Sequence, residues 1–188
     1  MRAFIALTLD ERFLSDLWLL TSASRAKTEP AFRWTQRNNL HLTIKFLGEI
    51  TQAQCASVKD ALKSLPPLQL PSAKIKDAGF FPDVRRPRIY KLEFESNESI
   101  LNLVRSIESI TTANSIPREA RPFRPHLTLA RIKDLHPFPP LQLISQMNRE
   151  IQSLGETSFT NLTFYESRLT PKGPVYTSLS SLKVESLV

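Results

Sequence analysis

The sequence predicts an α+β fold in which amphipathic helices are interleaved with short strands. Its 188 residues are 41% hydrophobic and 23% charged, which is typical of one compact globular unit or of two closely packed lobes. Residues 88–94 alternate between apolar and polar side chains, as in an antiparallel strand that buries one face. Residues 100–110 repeat apolar side chains at helical spacing. Because both patterns occur along the whole chain, residues 1–188 are predicted to form a single mixed domain rather than a parallel doubly wound sheet.

The first half of the chain is predicted to begin with a buried strand over residues 3–9. Asp10 is a candidate N-cap for a helix with an apolar face made of Phe13, Leu14, Leu17 and Trp18. Residues 37–48 return to strand character. Thr51 and Gln54 have the spacing of a capping box, which predicts the start of a second helix.

The second half repeats this mixture of elements. Further strands are predicted over residues 73–81, 88–94, 121–132, 159–170 and 175–184. Asn97 is a candidate cap for the helix that contains residues 100–110. Residues 141–154 predict a last helix, which Gly155 is expected to end.

The positive charge is concentrated rather than spread evenly. The formal net charge is +7, and residues 33–45 and 118–133 contribute +3 and +4 of it. Residues 85–91 contain four cations and no acid. Such focused charge favours an anionic partner, with nucleic acid the first candidate, although basic side chains also simply keep surfaces soluble.

Several classes of protein are excluded or disfavoured by composition. The single cysteine, Cys55, excludes an internal disulfide and a cysteine-based metal site, and it fits a reducing, cytoplasmic environment. The three histidines lack an HExxH pattern, so neither a metal nor another cofactor is expected. The chain has no apolar run of about 20 residues, so no membrane segment is expected. Its N-terminus is predicted to be a strand rather than a signal peptide.

Two of the three histidines begin nearly identical segments, HLTIKFLG from His41 and HLTLAR from His126. Since side chains at i and i+2 share one face of a strand, His41 lies with Thr43, and His126 with Thr128. The intervening side chains face the other way and can enter a core; they are Leu42, Ile44, Leu127 and Leu129. Each segment therefore presents an imidazole and a hydroxyl together. The third histidine, His136, has no such partner and is predicted to lie in a loop.

This pair of motifs fits an in-line displacement at phosphorus. The reaction needs a base for the nucleophile and an acid for the leaving oxygen, and imidazole serves either role near neutral pH. Hydroxyls and basic side chains can hold the non-bridging oxygens, so the arrangement requires no metal. A single HLT segment is more often structural. Two copies with matching threonines and basic flanks favour catalysis, and the residues alone leave open which histidine is the acid.

Several segments resemble one known family. HLTIKFLG and RPFRPHLTLAR are similar to the two HxTx motifs of the two-histidine (2H) phosphoesterases. RAFIAL, GFFPDVRRPRIYKLEF and YESRLTPKGPVYTSL resemble the opening strand, middle segment and closing hairpin of its RNA 2′,3′-cyclic phosphodiesterases, also called 2′-5′ RNA ligases. The resemblance covers nearly the whole chain.

The resemblance implies a bilobal α+β fold with pseudo-two-fold symmetry, in which antiparallel sheets flanked by helices surround a central cleft. It also implies hydrolysis of RNA 2′,3′-cyclic phosphate ends to 2′-phosphate ends. His41 would then be the proton donor to the 3′ oxygen and His126 the proton acceptor from water. Thr43 and Thr128 would hold the phosphate. By microscopic reversibility, the same site could join such an end to a 5′-hydroxyl through a 2′-5′ linkage.

Four further residues are candidates for substrate contacts. Strict alternation places Lys45 on the His41 face, where it could meet RNA phosphates, and places Phe46 on the opposite face. Phe46 could nevertheless stack on a base at the edge of the cleft, or pack in the core. Strict alternation also places Arg131 on the face opposite to His126. The resemblance suggests that Arg131 contacts phosphate, which a twisted strand end would permit, and the alternative is a structural ion pair. Arg124 is a candidate RNA contact.

Two other functions remain open from the sequence. The protein could be a 2H phosphoesterase that acts on a small cyclic-phosphate nucleotide, or an RNA-binding protein without catalysis. Paired HxT motifs disfavour the second, since binding alone does not need two imidazoles. Both motifs occur in one chain, so a monomer is expected.

Overall fold

A computed structural model describes residues 1–29, 31–133, 138–171 and 173–187. The helices are α1 Glu11–Leu20, α2 Ser22–Thr28, α3 Gln52–Lys63, α4 Glu98–Ala113 and α5 Leu141–Gln152. The strands are β1 Arg2–Leu9, β2 Phe32–Trp34, β3 Leu42–Glu49, β4 Leu68–Leu70, β5 Ala73–Phe81, β6 Ile89–Phe94, β7 His126–Ile132, β8 Glu156–Thr157, β9 Phe159–Thr170 and β10 Gly173–Ser186. The predicted α+β class is confirmed.

The predicted helix starts are confirmed by their caps. The Asp10 carboxylate accepts hydrogen bonds from two backbone N–H groups of α1. Thr51 and Gln54 form both bonds of the capping box at α3. The Asn97 side chain accepts a bond from the backbone of α4. Gly155 follows α5 with φ +73°, a left-handed conformation that glycine adopts without a steric penalty.

The sequence patterns missed the shortest elements and placed two strand starts too early. Helix α2 and strands β2, β4 and β8 carry too few apolar residues to show a period. The strand predicted over residues 121–132 begins at His126. The strand predicted over residues 37–48 begins at Leu42, because residues Arg37–Asn39 form a 3₁₀ turn. In that turn the backbone N–H groups of Asn39 and Leu40 bond to carbonyls three residues earlier, which stops them from joining a ladder.

Most strands form one sheet in the order β4-β10-β9-β1-β3-β7-β6-β5-β8, and β2 pairs with β7 on the same edge as β3, further along that strand. Only the β10–β4 pair is parallel among the described residues. We call β4, β10, β9, β1 and β3 the first lobe, and β7, β6, β5, β8 and β2 the second lobe. The two lobes meet where β3 and β7 pair antiparallel through Leu42 and Leu127.

One face of this sheet holds the main core. Helices α3, α4 and α5 contact strands β10, β3 and β5. Leu42, Leu127 and Leu92 have no exposed surface and lie on this core face. The other face, which we call the site face, carries the side chains that alternate with them. None of the helices in the described ranges is long and apolar enough to span a membrane.

Candidate active site

The pairing of Leu42 with Leu127 brings the two HxT motifs together. In the antiparallel register set by this pair, His41 lies opposite Thr128, and Thr43 lies opposite His126. Side chains directly opposite on neighbouring strands have Cβ atoms about 5 Å apart. Both leucines enter the core, so all four polar side chains project from the site face. The sheet therefore places two imidazoles and two hydroxyls around one point, with local two-fold symmetry.

The two imidazoles are held in the same way. Nδ1 of His41 lies 2.8 Å from the carbonyl oxygen of Asn39, and Nδ1 of His126 lies 2.8 Å from that of Arg124. A carbonyl only accepts hydrogen bonds, so Nδ1 must donate in both cases. When either ring is neutral, the unprotonated nitrogen is therefore Nε2. Each Nε2 can take a proton as a base or, when protonated, give one as an acid.

The His41 ring is packed among aromatic side chains. It stacks on Phe4 with ring centroids 4.8 Å apart and meets the edge of Tyr176 at 5.3 Å. Burial lowers the pKa of His41 from 6.5 to about 4; the hydrogen bond to Asn39 opposes this effect, and the charge of His126 adds to it. His41 is thus neutral at pH 7 in the free protein. Tyr176 thus lies against this imidazole.

A β-bulge in β3 reverses the alternation expected after Thr43. Thr43 pairs with Ala6, but Lys45 pairs with Ile5, so Ile44 is an extra residue on β3. Phe46 then pairs with Phe4 and lies on the site face, with 68% of its surface exposed. The prediction that Phe46 lies on the face opposite to His41 is therefore wrong. Its exposed ring is available for stacking at the edge of the cleft.

The same bulge turns Lys45 into the core, so its predicted place on the His41 face is also wrong. The Lys45 side chain is only 2% exposed. Its Nζ donates to both carboxylate oxygens of Glu108 on α4, at 2.7 and 2.8 Å, and to the Pro117 carbonyl at 2.7 Å. These partners fix α4 and the chain that leads to His126 against β3. Lys45 consequently cannot reach an RNA phosphate in this conformation.

A second bulge at the equivalent place in β7 redirects Arg131. Thr128 pairs with Lys91 of β6, whereas Ala130 pairs with Tyr90, which leaves Leu129 as the extra residue. Arg131 therefore returns to the site face, as its predicted phosphate contact requires, and it is exposed. The physical cause is the bulge rather than a twisted strand end. Arg131 also lies close enough to Tyr176 for its charge to oppose the burial that raises the pKa of that phenol.

Within the part of the chain that the structure describes, the basic windows contain both exposed cations and cations in ion pairs. Arg124 is exposed beside His126, whose Nδ1 donates to its carbonyl. Arg37 pairs with Glu11, and Arg121 pairs with Glu119. These ion pairs reduce the charge that is available to a ligand.

Lys91 and Glu93 border the site, although the sequence did not indicate them as site residues. They lie on β6 directly opposite Thr128 and His126 and pair with each other. Burial opposes ionisation of Glu93, but hydrogen bonds from Lys91 and Lys76 hold its pKa below the usual range. Only the strand register shows that this carboxylate and ammonium lie beside the motifs.

A cavity of about 610 Å³ opens beside His41. Its wall includes the 3₁₀ turn, Tyr165 and residues 174–176 of β10. Among the described residues, no cluster of three or more His, Cys, Asp and Glu side chains is placed to hold a metal ion. His136 lies outside the described residues.

One family model and several named proteins match most of this chain. A family model described as LigT like Phosphoesterase matches residues 19–90 and 92–176. The chain is 31% identical over 150 residues to an Aquifex aeolicus protein named RNA 2′,3′-cyclic phosphodiesterase, covering 77% of this chain and 78% of that protein. It is 30% identical over 193 residues to a Thermus thermophilus protein of the same name, covering 98% and 90%.

Solved structures show the same fold over nearly the full length. A crystal structure of a Thermus thermophilus protein superposes with a TM-score of 0.75 at 27% identity, covering 99% of both chains. The structure of Escherichia coli LigT complexed with 3′-AMP gives a TM-score of 0.70 at 22% identity, covering 97% of both chains.

Proposed function

The chain belongs to the LigT-like phosphoesterase family, and we propose that it hydrolyses RNA 2′,3′-cyclic phosphate ends to 2′-phosphomonoester ends. Relatives named RNA 2′,3′-cyclic phosphodiesterase support this substrate. The observation that carries the proposal is the pair of facing imidazoles, each oriented through Nδ1 so that Nε2 can exchange a proton. Two threonine hydroxyls lie between them in the strand register.

In the proposed reaction, phosphorus lies between His41 and His126. His126 Nε2 accepts a proton from water as the water oxygen bonds to phosphorus. The bond from phosphorus to the 3′ oxygen breaks, and His41 Nε2 protonates that oxygen. The product has a 2′-phosphate and a 3′-hydroxyl. The two histidines end with exchanged protonation states, which solvent resets. The local two-fold symmetry permits either direction, and the family resemblance supports this assignment of acid and base.

The remaining site residues are proposed to bind the phosphate and the RNA. Thr43 and Thr128 donate hydrogen bonds to the non-bridging oxygens, and Arg131 stabilises their negative charge. Arg124 contacts an RNA phosphate beside His126. Phe46 offers its exposed ring to a base. The same geometry, run in reverse with a 5′-hydroxyl in place of water, would form a 2′-5′ linkage.

An assay on defined RNA ends tests the proposed function. An RNA oligomer with a 2′,3′-cyclic phosphate is expected to gain one water in the presence of EDTA, as measured by mass spectrometry. ³¹P NMR distinguishes a 2′-phosphate from a 3′-phosphate at the product end. A 3′-phosphate product, or no turnover, would contradict the proposal. RNA binding without turnover would instead support a binding protein without catalysis.

The protonation of His41 is expected to depend on bound phosphate. Its pKa of about 4 in the free protein leaves it neutral at pH 7, whereas a proton donor must carry the proton. A nearby negative charge favours imidazolium and commonly raises a histidine pKa by roughly 1–3 pH units. We therefore expect a nucleoside 2′-phosphate to raise the pKa of His41 by at least about one pH unit. NMR titration of the histidine ring protons measures this change.

The variants His41→Gln and His126→Gln assign the NMR signals in that titration, and the His136 signal provides an internal reference. If saturating ligand raised the pKa of His126 and left that of His41 at about 4, the acid and base roles would be reversed. The proposed reaction would survive such a reversal, but the assignment of the two histidines would not.

A further inference from the structure

A row of side chains leads from the candidate active site across the second lobe. Arg33 of β2 pairs with Arg131 of β7, Arg131 pairs with Ile89 of β6, and Ile89 pairs with Phe81 of β5. Paired residues point to the same face, and Arg131 lies on the site face, so the whole row does. We call these four residues the basic row. With strands about 4.8 Å apart, it extends roughly 14 Å from Arg33 to Phe81.

The basic row carries exposed and uncompensated positive charge. None of the ion pairs formed within the described ranges includes Arg33 or Arg131. The Arg33 guanidinium reaches toward the first lobe, 3.5 Å from where a Cβ on Gly173 would stand. At the far end, Phe81 exposes 47% of its surface. An anionic chain with stackable bases matches this combination of guanidinium groups and an aromatic ring.

The loop that follows Phe81 is also positively charged. Residues 82–88 join β5 to β6, and this loop contains Arg88 next to β6 and, nearer to β5, Arg85 and Arg86. The Asp83 carboxylate accepts hydrogen bonds from the backbone N–H groups of Arg85 and Arg86 at 2.7 and 3.1 Å, which shapes the turn. All three arginine side chains are exposed. The basic row therefore ends at a loop with three exposed arginines rather than at neutral surface.

The opposite end of the site carries balanced charge. His126 pairs with Glu93 of β6, whose partner on β5 is Asp77. The Asp77 carboxylate accepts a hydrogen bond from Gln152 of α5, and Lys91 and Lys76 both pair with Glu93, so two carboxylates are offset by two ammonium groups. A polyphosphate chain is attracted to the basic row and not to this balanced group. The charge pattern thus gives a bound nucleic acid one direction across the second lobe.

The proposed reaction also directs the RNA chain toward the basic row. The four motif residues are His41, Thr43, His126 and Thr128, and Arg131 lies beyond them on the His41 side. Thr128 is opposite His41, and Arg131 follows Thr128 along β7. His41 protonates the 3′ oxygen in the proposed reaction, so the terminal ribose lies at this end. The RNA chain continues from the 5′ side of that ribose and meets the basic row first.

We propose that the basic row and the 82–88 loop form a track for the single-stranded RNA upstream of the cyclic phosphate. This inference rests on the proposed function and specifies its substrate as an RNA end rather than a small cyclic nucleotide. A stacked strand rises about 3.4 Å per nucleotide, so roughly four nucleotides span the row.

The track is tested by comparing a 2′,3′-cyclic mononucleotide with an RNA hexamer that ends in the same group. The double variant Arg85→Gln/Arg86→Gln is expected to raise KM for the hexamer about tenfold. It should also reduce the salt dependence of log(kcat/KM) by about 1.4, or 0.7 for each lost phosphate contact. The mononucleotide is too short to reach the loop, so its kcat/KM should not change.

A matched control removes two exposed cations from the helices on the other face of the sheet. Lys63→Gln/Arg105→Gln, on α3 and α4, is expected to change neither substrate. Three results would each overturn the proposed track. The two double variants could have equal effects, the loop variant could affect both substrates equally, or the loop variant could leave turnover of the hexamer unchanged. Wild-type protein that turned over neither substrate would instead contradict the proposed function.

Discussion

Alanine in place of either His41 or His126 is expected to lower kcat for cyclic phosphate hydrolysis at least about 100-fold. In the proposed mechanism each substitution removes one of two proton transfers, and general acid–base catalysis commonly contributes 10²–10⁴-fold. KM should change much less, because the proposed phosphate-binding residues Thr43, Thr128 and Arg131 remain in place. The double variant should be little worse than the single variants, since the two imidazoles work as a pair. Steady-state kinetics on a cyclic-phosphate RNA measures all three variants.

His136→Ala is the matched control for these substitutions, because it removes the one histidine outside the HxT motifs. It is expected to retain wild-type kcat. Thermal unfolding of each variant separates lost chemistry from lost folding. Turnover by His41→Ala or His126→Ala at the wild-type rate would refute the paired-histidine mechanism, even if the protein proved to be a phosphodiesterase.

Glu108→Ala is expected to lower the free energy of unfolding by about 3 kcal/mol or more. The Lys45 side chain is 2% exposed, and Glu108 carries its compensating charge. Among the described residues, removing the carboxylate leaves the buried ammonium with the Pro117 carbonyl as its remaining hydrogen-bond partner. Breaking a buried ion pair in this way typically costs about 3–5 kcal/mol. Chemical denaturation at pH 7 measures the change.

Lys45→Met is the informative companion to Glu108→Ala. Methionine preserves much of the length of lysine without its charge, and Glu108 retains 20% of its side-chain surface for contact with water. We therefore expect a smaller loss of stability than in Glu108→Ala and no change in KM for RNA. A raised KM with unchanged stability would mean that Lys45 faces the substrate, as strict alternation predicts, and would contradict the bulge at Ile44.

Much of the fold followed from patterns that depend on near neighbours in the chain. The caps at Asp10, Thr51 and Asn97 were predictable because a cap needs only a side chain and backbone groups two or three residues away. The antiparallel β9–β10 hairpin was predictable from two strand patterns around a proline- and glycine-containing turn. The short strands β2 and β4 were not, because sheet pairing rather than their own sequence makes them strands.

The same distinction between near neighbours and strand pairing applies to the residues of the candidate site. The repeat of HLT determined by itself that His41 shares a face with Thr43, and His126 with Thr128, because no bulge intervenes within two residues. It could not determine the faces of Phe46 and the residues beyond it.

Only the tertiary structure decided on which face of the sheet Lys45, Phe46 and Arg131 lie. The paired bulges at Ile44 and Leu129 arise where β3 and β7 must match β1 and β6, so they depend on partner strands and not on local sequence. Each bulge shifts the alternation by one residue, which turns Lys45 toward Glu108 and brings Phe46 and Arg131 to the site face. The sequence thus determined which residues form the proposed acid–base pair, whereas strand pairing decided which side chains surround it.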